Sequence, residues 1–228
     1  EIQSLPGTSL KDIPARAFKD SGWYCLRSGN DYCLASAGNL GKSSIWCAAH
    51  NDKLSFELSI HGTDIIVDPG TYAYYDVKER NNFRSTVYHS TISVKNEEQN
   101  AFGPTIFSMK DQTRCKLLDF GEDESLLWFE AEHYGYKNIG FIHRRRLEFV
   151  KSTSTLVVKD ILIGNSSEVK WSSSAVINPS FDVLLLNVQG DKQILISEAL
   201  FYSEEYGVRV PAKRLETSSL SYSISLIR

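Results

Sequence analysis

The sequence lacks most of the features that announce a protein's class. No apolar run approaches the ~20 residues of a membrane-spanning helix; Val183–Val188 and Ile194–Leu200 are too short and read as buried strands. Large net charge is missing too: 25 basic and 28 acidic residues leave −3. Without a basic field, nucleic-acid binding by bulk electrostatics is excluded, and an acidic ligand would need a local basic patch. No CxxC pair exists, which removes the zinc ribbon and the dithiol redox site. The four cysteines, at 25, 33, 47 and 115, read as buried free thiols used as small apolar residues. Disulfide pairing is the alternative, because Cys25 and Cys33 flank the turn-like Ser28-Gly29-Asn30 and would face each other across a hairpin. There is no GxSxG elbow, P-loop, GxGxxG or HExxH, no fixed-period repeat and no low-complexity segment. Amphipathic helix longer than two turns is absent; Asp76–Asn82 and Ser203–Tyr206 are candidate helical turns.

What is present is ordinary globular composition, 42% hydrophobic and 23% charged over 228 residues. That is enough chain for a sizeable core in one large domain or two small ones. The chain opens on Glu1 without a signal-peptide pattern, and residues 1–16, with Pro6 and Pro14, read as a linker or arm leaving a preceding part. Beyond it the period is two. Trp23, Cys25 and Arg27 alternate with Tyr24, Leu26 and Ser28, and Leu54, Phe56, Leu58 and Ile60 alternate with Lys53, Ser55, Glu57 and Ser59. Further strands are expected at Asp64–Val67, Tyr88–Val94, Leu126–Glu132, Arg146–Val150, Leu156–Ile163, Glu168–Ser173, Val183–Asn187, Gln193–Ser197 and Ser219–Ile227. Turn residues separate them, as at His61-Gly62-Thr63 and Asp68-Pro69-Gly70. Around a dozen short strands mean an all-β protein, a large antiparallel two-sheet β-sandwich with little helix over residues 17–228. A split near Phe120 into two small sandwiches lacks a linker signature.

Polar residues with chemistry are densest between Ala48 and Gln99. His50, Asp68 and His89 each fall in or beside an expected strand, 18 and 21 residues apart. Two imidazoles and a carboxylate are three of the four ligands of a tetrahedral zinc site, although such a triple is equally three surface or capping residues. Asp68-Pro69-Gly70 is in itself turn chemistry. Lys78, Arg80 and Arg84 form a basic patch among Tyr72, Tyr74, Tyr75 and Phe83. Guanidinium with aromatic rings suits an acidic sugar; cross-strand tyrosines on a solvated surface are the plainer alternative. Of Arg144, Arg145 and Arg146, alternation puts the outer two on one face and Arg145 on the other. His61 reads as an exposed turn residue, His133 and His143 as packed strand histidines. A pair of carboxylates for glycoside hydrolysis cannot be picked out of the acidic residues.

Three ordered motifs resemble the heparinase II/III-like family. They are His50-Asn51-Asp52-Lys53-Leu54-Ser55-Phe56-Glu57-Leu58, Val67-Asp68-Pro69-Gly70-Thr71-Tyr72, and Arg80-Asn81 with Phe83-Arg84-Ser85-Thr86 and His89-Ser90-Thr91. Weaker flanks agree, from Asp20-Ser21-Gly22-Trp23-Tyr24 upstream to His133-Tyr134-Gly135-Tyr136 and His143-Arg144-Arg145 downstream, so the resemblance spans most of residues 17–175. Family members are polysaccharide lyases or their relatives, pairing an N-terminal α/α toroid with a C-terminal β-sandwich. The resemblance therefore implies that this chain is the sandwich, that residues 1–16 lead from a toroid in a longer parent, and that zinc is held by His50, Asp68 and His89. It implies β-elimination at a uronic acid, an acidic polysaccharide such as a glycosaminoglycan as partner, and a periplasmic or secreted location. Asn51, Arg80 and Arg84 become candidate substrate-binding residues, and Asp52 a residue orienting a ligand histidine.

Two departures matter. The family's sandwich contributes a catalytic histidine two residues before the first zinc ligand, and here that position is Ala48, whose methyl neither transfers a proton nor donates a hydrogen bond. The family's asparagine after the third ligand is Ser90. Two functions remain: the sandwich of a lyase, holding zinc and forming one wall of the cleft, inactive alone; or a catalytically silent, zinc-stabilised carbohydrate-binding or structural module.

Overall fold

The computed structural model describes residues 14–40, 49–164 and 169–227. In chain order the elements are β1 (Arg16–Phe18), β2 (Trp23–Ser28), β3 (Asp31–Ser36), β4 (Phe56–Ile60), β5 (Thr63–Ile66), the helix α1 (Val77–Phe83) and β6 (Ile92–Val94). Then come β7 (Lys116–Glu122), β8 (Leu126–His133), β9 (Phe141–Val150), β10 (Thr155–Gly164) and β11 (Trp171–Ile177). The chain ends in β12 (Leu186–Gly190), β13 (Ile194–Tyr202), β14 (Val210–Thr217) and β15 (Ser221–Leu226). A nine-stranded sheet runs β1-β2-β3-β4-β5-β11-β14-β13, with β6 also on β11, and a six-stranded sheet runs β12-β15-β10-β9-β8-β7. All these pairings are antiparallel. The expected all-β two-sheet sandwich is what forms.

Period two explains the packing. Along β9, Phe141, His143, Arg145, Leu147 and Phe149 turn inward while Ile142, Arg144, Arg146, Glu148 and Val150 turn outward. One apolar cluster joins Leu26, Phe56, Leu58 and Ile177 of the first sheet to Phe129, Phe149, Val158 and Ile224 of the second. Each such side chain, fully buried, contributes roughly 1.5–3 kcal/mol over leaving it in water. Phe120, where a split was considered, lies inside β7 and packs against this same cluster.

Several local expectations are corrected. The strand expected from Lys53 starts only at Phe56, because Leu54 has φ 59 and its N–H bonds back to Ser36 O. Of the strand expected over Tyr88–Val94, Tyr88 ends a 3-10 turn (Thr86–Tyr88), His89 follows in extended conformation, and only Ile92–Val94 joins the sheet. Val183–Leu185 is a 3-10 turn capped by Asp182, and the strand follows it. Asp76–Asn82 does mark a helix: the Asp76 carboxylate caps α1 by accepting from the N–H groups of Lys78 and Glu79. Ser203–Tyr206 does not, because Ser203 bridges to Gly70 and its hydroxyl bonds Glu205 O and Val208 O. β7 and β14 were not anticipated: Asp119 and Gly121 interrupt one and Pro211, Lys213 and Arg214 the other, so neither shows clean alternation. The hairpin across Gly29 forms, but in register Cys25 faces Leu34 and Leu26 faces Cys33. The two cysteines therefore point to opposite faces of the sheet, and both are free, as is Cys115. Cys47, residues 1–13 and Glu168 lie outside the described residues.

Candidate metal centre

The three motifs converge at one end of the nine-stranded sheet. After β5, Val67 still bonds β11 through Val176 O, and the chain then turns at Asp68-Pro69-Gly70. The Gly70 N–H donates to Asp68 Oδ1 at 2.8 Å, so that oxygen closes the turn and leaves Oδ2 for a partner outside it. Gly70 is required here. It has φ 77, and a Cβ would meet Ser203 O at 2.0 Å. His89 is fully buried, and Ser174 Oγ donates to its carbonyl at 2.9 Å. Its Nδ1–H donates to Asp68 Oδ2 at 3.0 Å. The segment carrying His50 is fixed by Asn51, whose N–H donates to Arg84 O and whose side-chain amide clamps Asn100 and Glu98.

His50, Asp68 and His89 each bring one donor atom to within 4.8 Å of the others, the one His/Cys/Asp/Glu group of this kind among the described residues. The two imidazole rings lie 5.1 Å apart, tilted by 41°. The site opens onto a cleft of about 420 Å³ lined by Trp23, His50, Asp52, Glu57, Asp68 and Thr71, among others. Asp68 is 40% exposed on its wall.

Burial and mutual charge shift all three groups. Burial, helped by His89, pushes His50 down to about 3, so the ring is neutral and carries a lone pair. Burial pulls His89 down as well, but the Asp68 charge and hydrogen bond outweigh it and raise its pKa. Burial pushes Asp68 up, and His89 more than reverses this, holding it below the usual carboxylate range. Burial followed by the charges of Asp68 and Asp64 lifts Glu57, on the same cleft, to about 7.

A family model described as "Heparinase II/III-like, C-terminal" matches residues 11–215. The chain belongs to the heparinase II/III-like family. Among solved structures, this heparinase II/III-like domain is similar to the heparan sulfate lyase HepC from Pedobacter heparinus, with TM-score 0.72 and 19% identity over 94% of this chain. It is also similar to a heparinase III gene product, with TM-score 0.70 and 19% identity over 95% of this chain. In both cases the match spans only 36% of the other chain, so the domain corresponds to about a third of those proteins. No curated protein matches it.

The heparinase II/III-like set fits a divalent metal on its own geometry. His89 Nε2 is buried with no hydrogen-bond partner among the described residues, a polar atom that folding leaves uncompensated. Zinc bonds of about 2.0–2.2 Å place tetrahedral donors roughly 3.4 Å apart, a small closure from the observed spread. The other expected residues are placed differently. Asn51, Arg80 and Arg84 are all buried. Arg84 Nε donates to Asn81 Oδ1 and its guanidinium lies 4.7 Å over the Phe102 ring. Arg80 Nη1 is 2.9 Å from His50 Nε2. Asp52 pairs at 2.5 Å with Lys53, not with a histidine, and acts on His50 and His89 through its charge. Ala48 lies outside the described residues. His61 is in the β4–β5 turn with its side chain 69% exposed, and His133 and His143 are packed inside, as expected.

Sequence reasoning missed two contributors. Glu57 sat unremarked on the polar face of an alternating strand, and only its nearness to Asp68 across the β4–β5 hairpin could have singled it out. Arg145 is the other. Its Nη1 donates to Leu54 O and Ser90 O, tying together the backbone near His50 and beside His89. The face assignment of Arg145 was visible in the sequence, its two carbonyl partners were not.

Proposed function

We propose that this domain is the C-terminal sandwich of a polysaccharide lyase that cleaves uronic-acid-containing polysaccharide by β-elimination. It holds zinc at His50, Asp68 and His89, forms one wall of the substrate cleft, and is inactive alone. The observation carrying this reading is the convergence of the three donors, two of which, His50 and Asp68, line the cleft. A bound zinc would supply fixed positive charge and pin the strand ends that carry the three motifs.

β-Elimination at a uronate needs three things: neutralisation of the carboxylate, abstraction of the C5 proton, and protonation of the leaving oxygen. The domain's own residues suit the first and shape the rest. Asp68 and His89 fix each other by their hydrogen bond. Glu57, with its pKa near neutrality, can hold or release a proton on the cleft wall. Asn51 and Arg84 act from within the fold, shaping the loop that carries His50, and Arg80 acts through His50 itself. The remaining acid–base groups belong to an N-terminal toroid of the same parent chain, with an acidic polysaccharide between the two parts in the periplasm or outside the cell. No helix among the described residues is long and apolar enough to cross a membrane.

A second reading, a catalytically silent zinc-stabilised carbohydrate-binding module, is favoured by Ala48 at the family's histidine position. Elemental mass spectrometry of the purified chain tests the metal: stoichiometric zinc, lost in His89→Ala, is expected. An assay for unsaturated product then separates the two functions, run on the longer parent with and without Ala48→His. Product from the parent supports the lyase. No product from either version, with polysaccharide still bound, supports the module.

A further inference from the structure

Arg80 lies on α1, fully buried, with its guanidinium 4.9 Å over the Tyr74 ring and Nη1 2.9 Å from His50 Nε2. Arginine is always protonated in proteins, so it donates, and His50 Nε2 must present its lone pair. A neutral imidazole has only one nitrogen with a free lone pair. If Nε2 serves Arg80, Nδ1 carries the proton and nothing remains for a cation. If a cation takes Nε2, Arg80 is shut out of that lone pair. If a cation takes Nδ1, the proton moves to Nε2, and two N–H groups then face each other across the present contact. Either way the contact breaks, and repulsion between a guanidinium and a divalent ion at such short range acts in the same direction.

We propose that Arg80 and the metal ion are alternative partners of His50, so that Arg80 is a positioning residue that sets the affinity of the site. This rests on the reading of His50, Asp68 and His89 as metal ligands. Arg80 orients the His50 ring by its hydrogen bond, and loading the site turns the guanidinium away from the ring. Thr71 Oγ1, 3.4 Å from the same nitrogen, is uncharged and gives way without such repulsion.

The test is zinc affinity by chelator competition at fixed pH, on the full 228-residue chain and on Arg80→Met. Methionine keeps an unbranched stem against Tyr74 and removes the donor. Zinc is expected to bind Arg80→Met about tenfold or more tightly than wild type, the loss of one charge-assisted competitor. Equal or weaker binding in the variant would overturn the inference and make Arg80 a prop for the site. Absence of zinc from both proteins would overturn the metal reading and this inference with it. A measurement on wild type alone guards against a variant that fails to fold: nitrogen-15 spectra of the His50 ring and the Arg80 guanidinium. Without metal, the His50 proton is expected on Nδ1, and added zinc should shift the Arg80 signals. Stoichiometric zinc binding with unchanged Arg80 signals would leave the metal site standing and overturn the competition.

Discussion

The molecule contains two histidine–carboxylate clusters, and they differ in a telling way. In the six-stranded sheet, the Gly135 N–H donates to His133 Nδ1, His133 Nε2 lies 3.1 Å from His143 Nδ1, and His143 Nε2 lies 2.8 Å from Asp160 Oδ1. Every ring nitrogen is used. Arg145 closes the chain with two bonds to Asp160, and Ser173 adds another. All of these groups are buried. At the end of the nine-stranded sheet, His50 and Asp68 line a cleft and converge with the buried His89, whose Nε2 has no hydrogen-bond partner among the described residues. The same residue types make a structural clasp in one place and a candidate ligand set in the other. What separates them is whether the valences are spent within the protein and whether solvent can reach them.

That contrast can be attacked at its strongest point first. Asp160→Asn removes the charge that Arg145 and His143 share, leaving a buried guanidinium uncompensated. A loss of about 3–5 kcal/mol in denaturant unfolding is expected. A loss under 1 kcal/mol, on the order of a surface change, would mean that the cluster is not a clasp.

A pair of substitutions then separates the two roles. His89→Ala should abolish stoichiometric zinc while the fold persists by circular dichroism. His143→Gln should lower stability and leave zinc content intact. Zinc content that falls equally in both would erase the distinction.

Acid sharpens the comparison next. Burial holds His133 and His143 well below and below their ordinary value, respectively; burial pushes Asp160 up, but the Arg145 charge and the hydrogen bonds from His143 and Arg145 together outweigh it and depress Asp160. Between those depressed values and about 6.5 the unfolded chain binds more protons, so stability rises with pH through this window. It is complete above about 6.5 and is lost as pH falls through the folded-state values; Asp160 extends the loss below the ordinary carboxylate range. His50, also depressed, acts in the same direction. His89, raised by Asp68, opposes them only above about 6.5, whereas Glu57, raised from 4.5 to about 7, opposes them between those two values. The melting temperature of the metal-free chain should therefore fall below about pH 6.5, most steeply once Glu57 is protonated in both states. A flat or rising profile on acidification would contradict the burial of neutral rings. The smallest expected effect belongs to His61→Ala, on an exposed turn: no change in zinc content and no measurable change in melting temperature.

Much of the fold was legible because strand alternation is a local signal. The clean patterns of β4 and β10 read directly, and so did the helical turn at Asp76–Asn82. β14 did not, because its proline and charges hide a strand that the sheet stabilises through its neighbours β11 and β13. His89 was placed near a strand edge, but its 3-10 approach depends on Thr86 and Ser174 making particular bonds. The metal set was visible as residue types and as a family resemblance. The substrate assignments for Asn51, Arg80 and Arg84 rested on the resemblance and, for the two arginines, on charge beside aromatic rings; the structure buries all three.

The sequence by itself determined the class of fold, the placing of Arg145 on the face opposite Arg144 and Arg146, the turn at Asp68-Pro69-Gly70 and the membership of His50, Asp68 and His89 in one ordered series. Periodicity and turn chemistry act over a few residues, so a linear reading can find them. Only the tertiary structure decided the cysteine register, the pairing of Arg80 with His50, the lift of Glu57 and which histidines keep an unspent nitrogen. Those depend on contacts between residues tens of positions apart and on the removal of water around them, and neither is written in the order of neighbours along the chain.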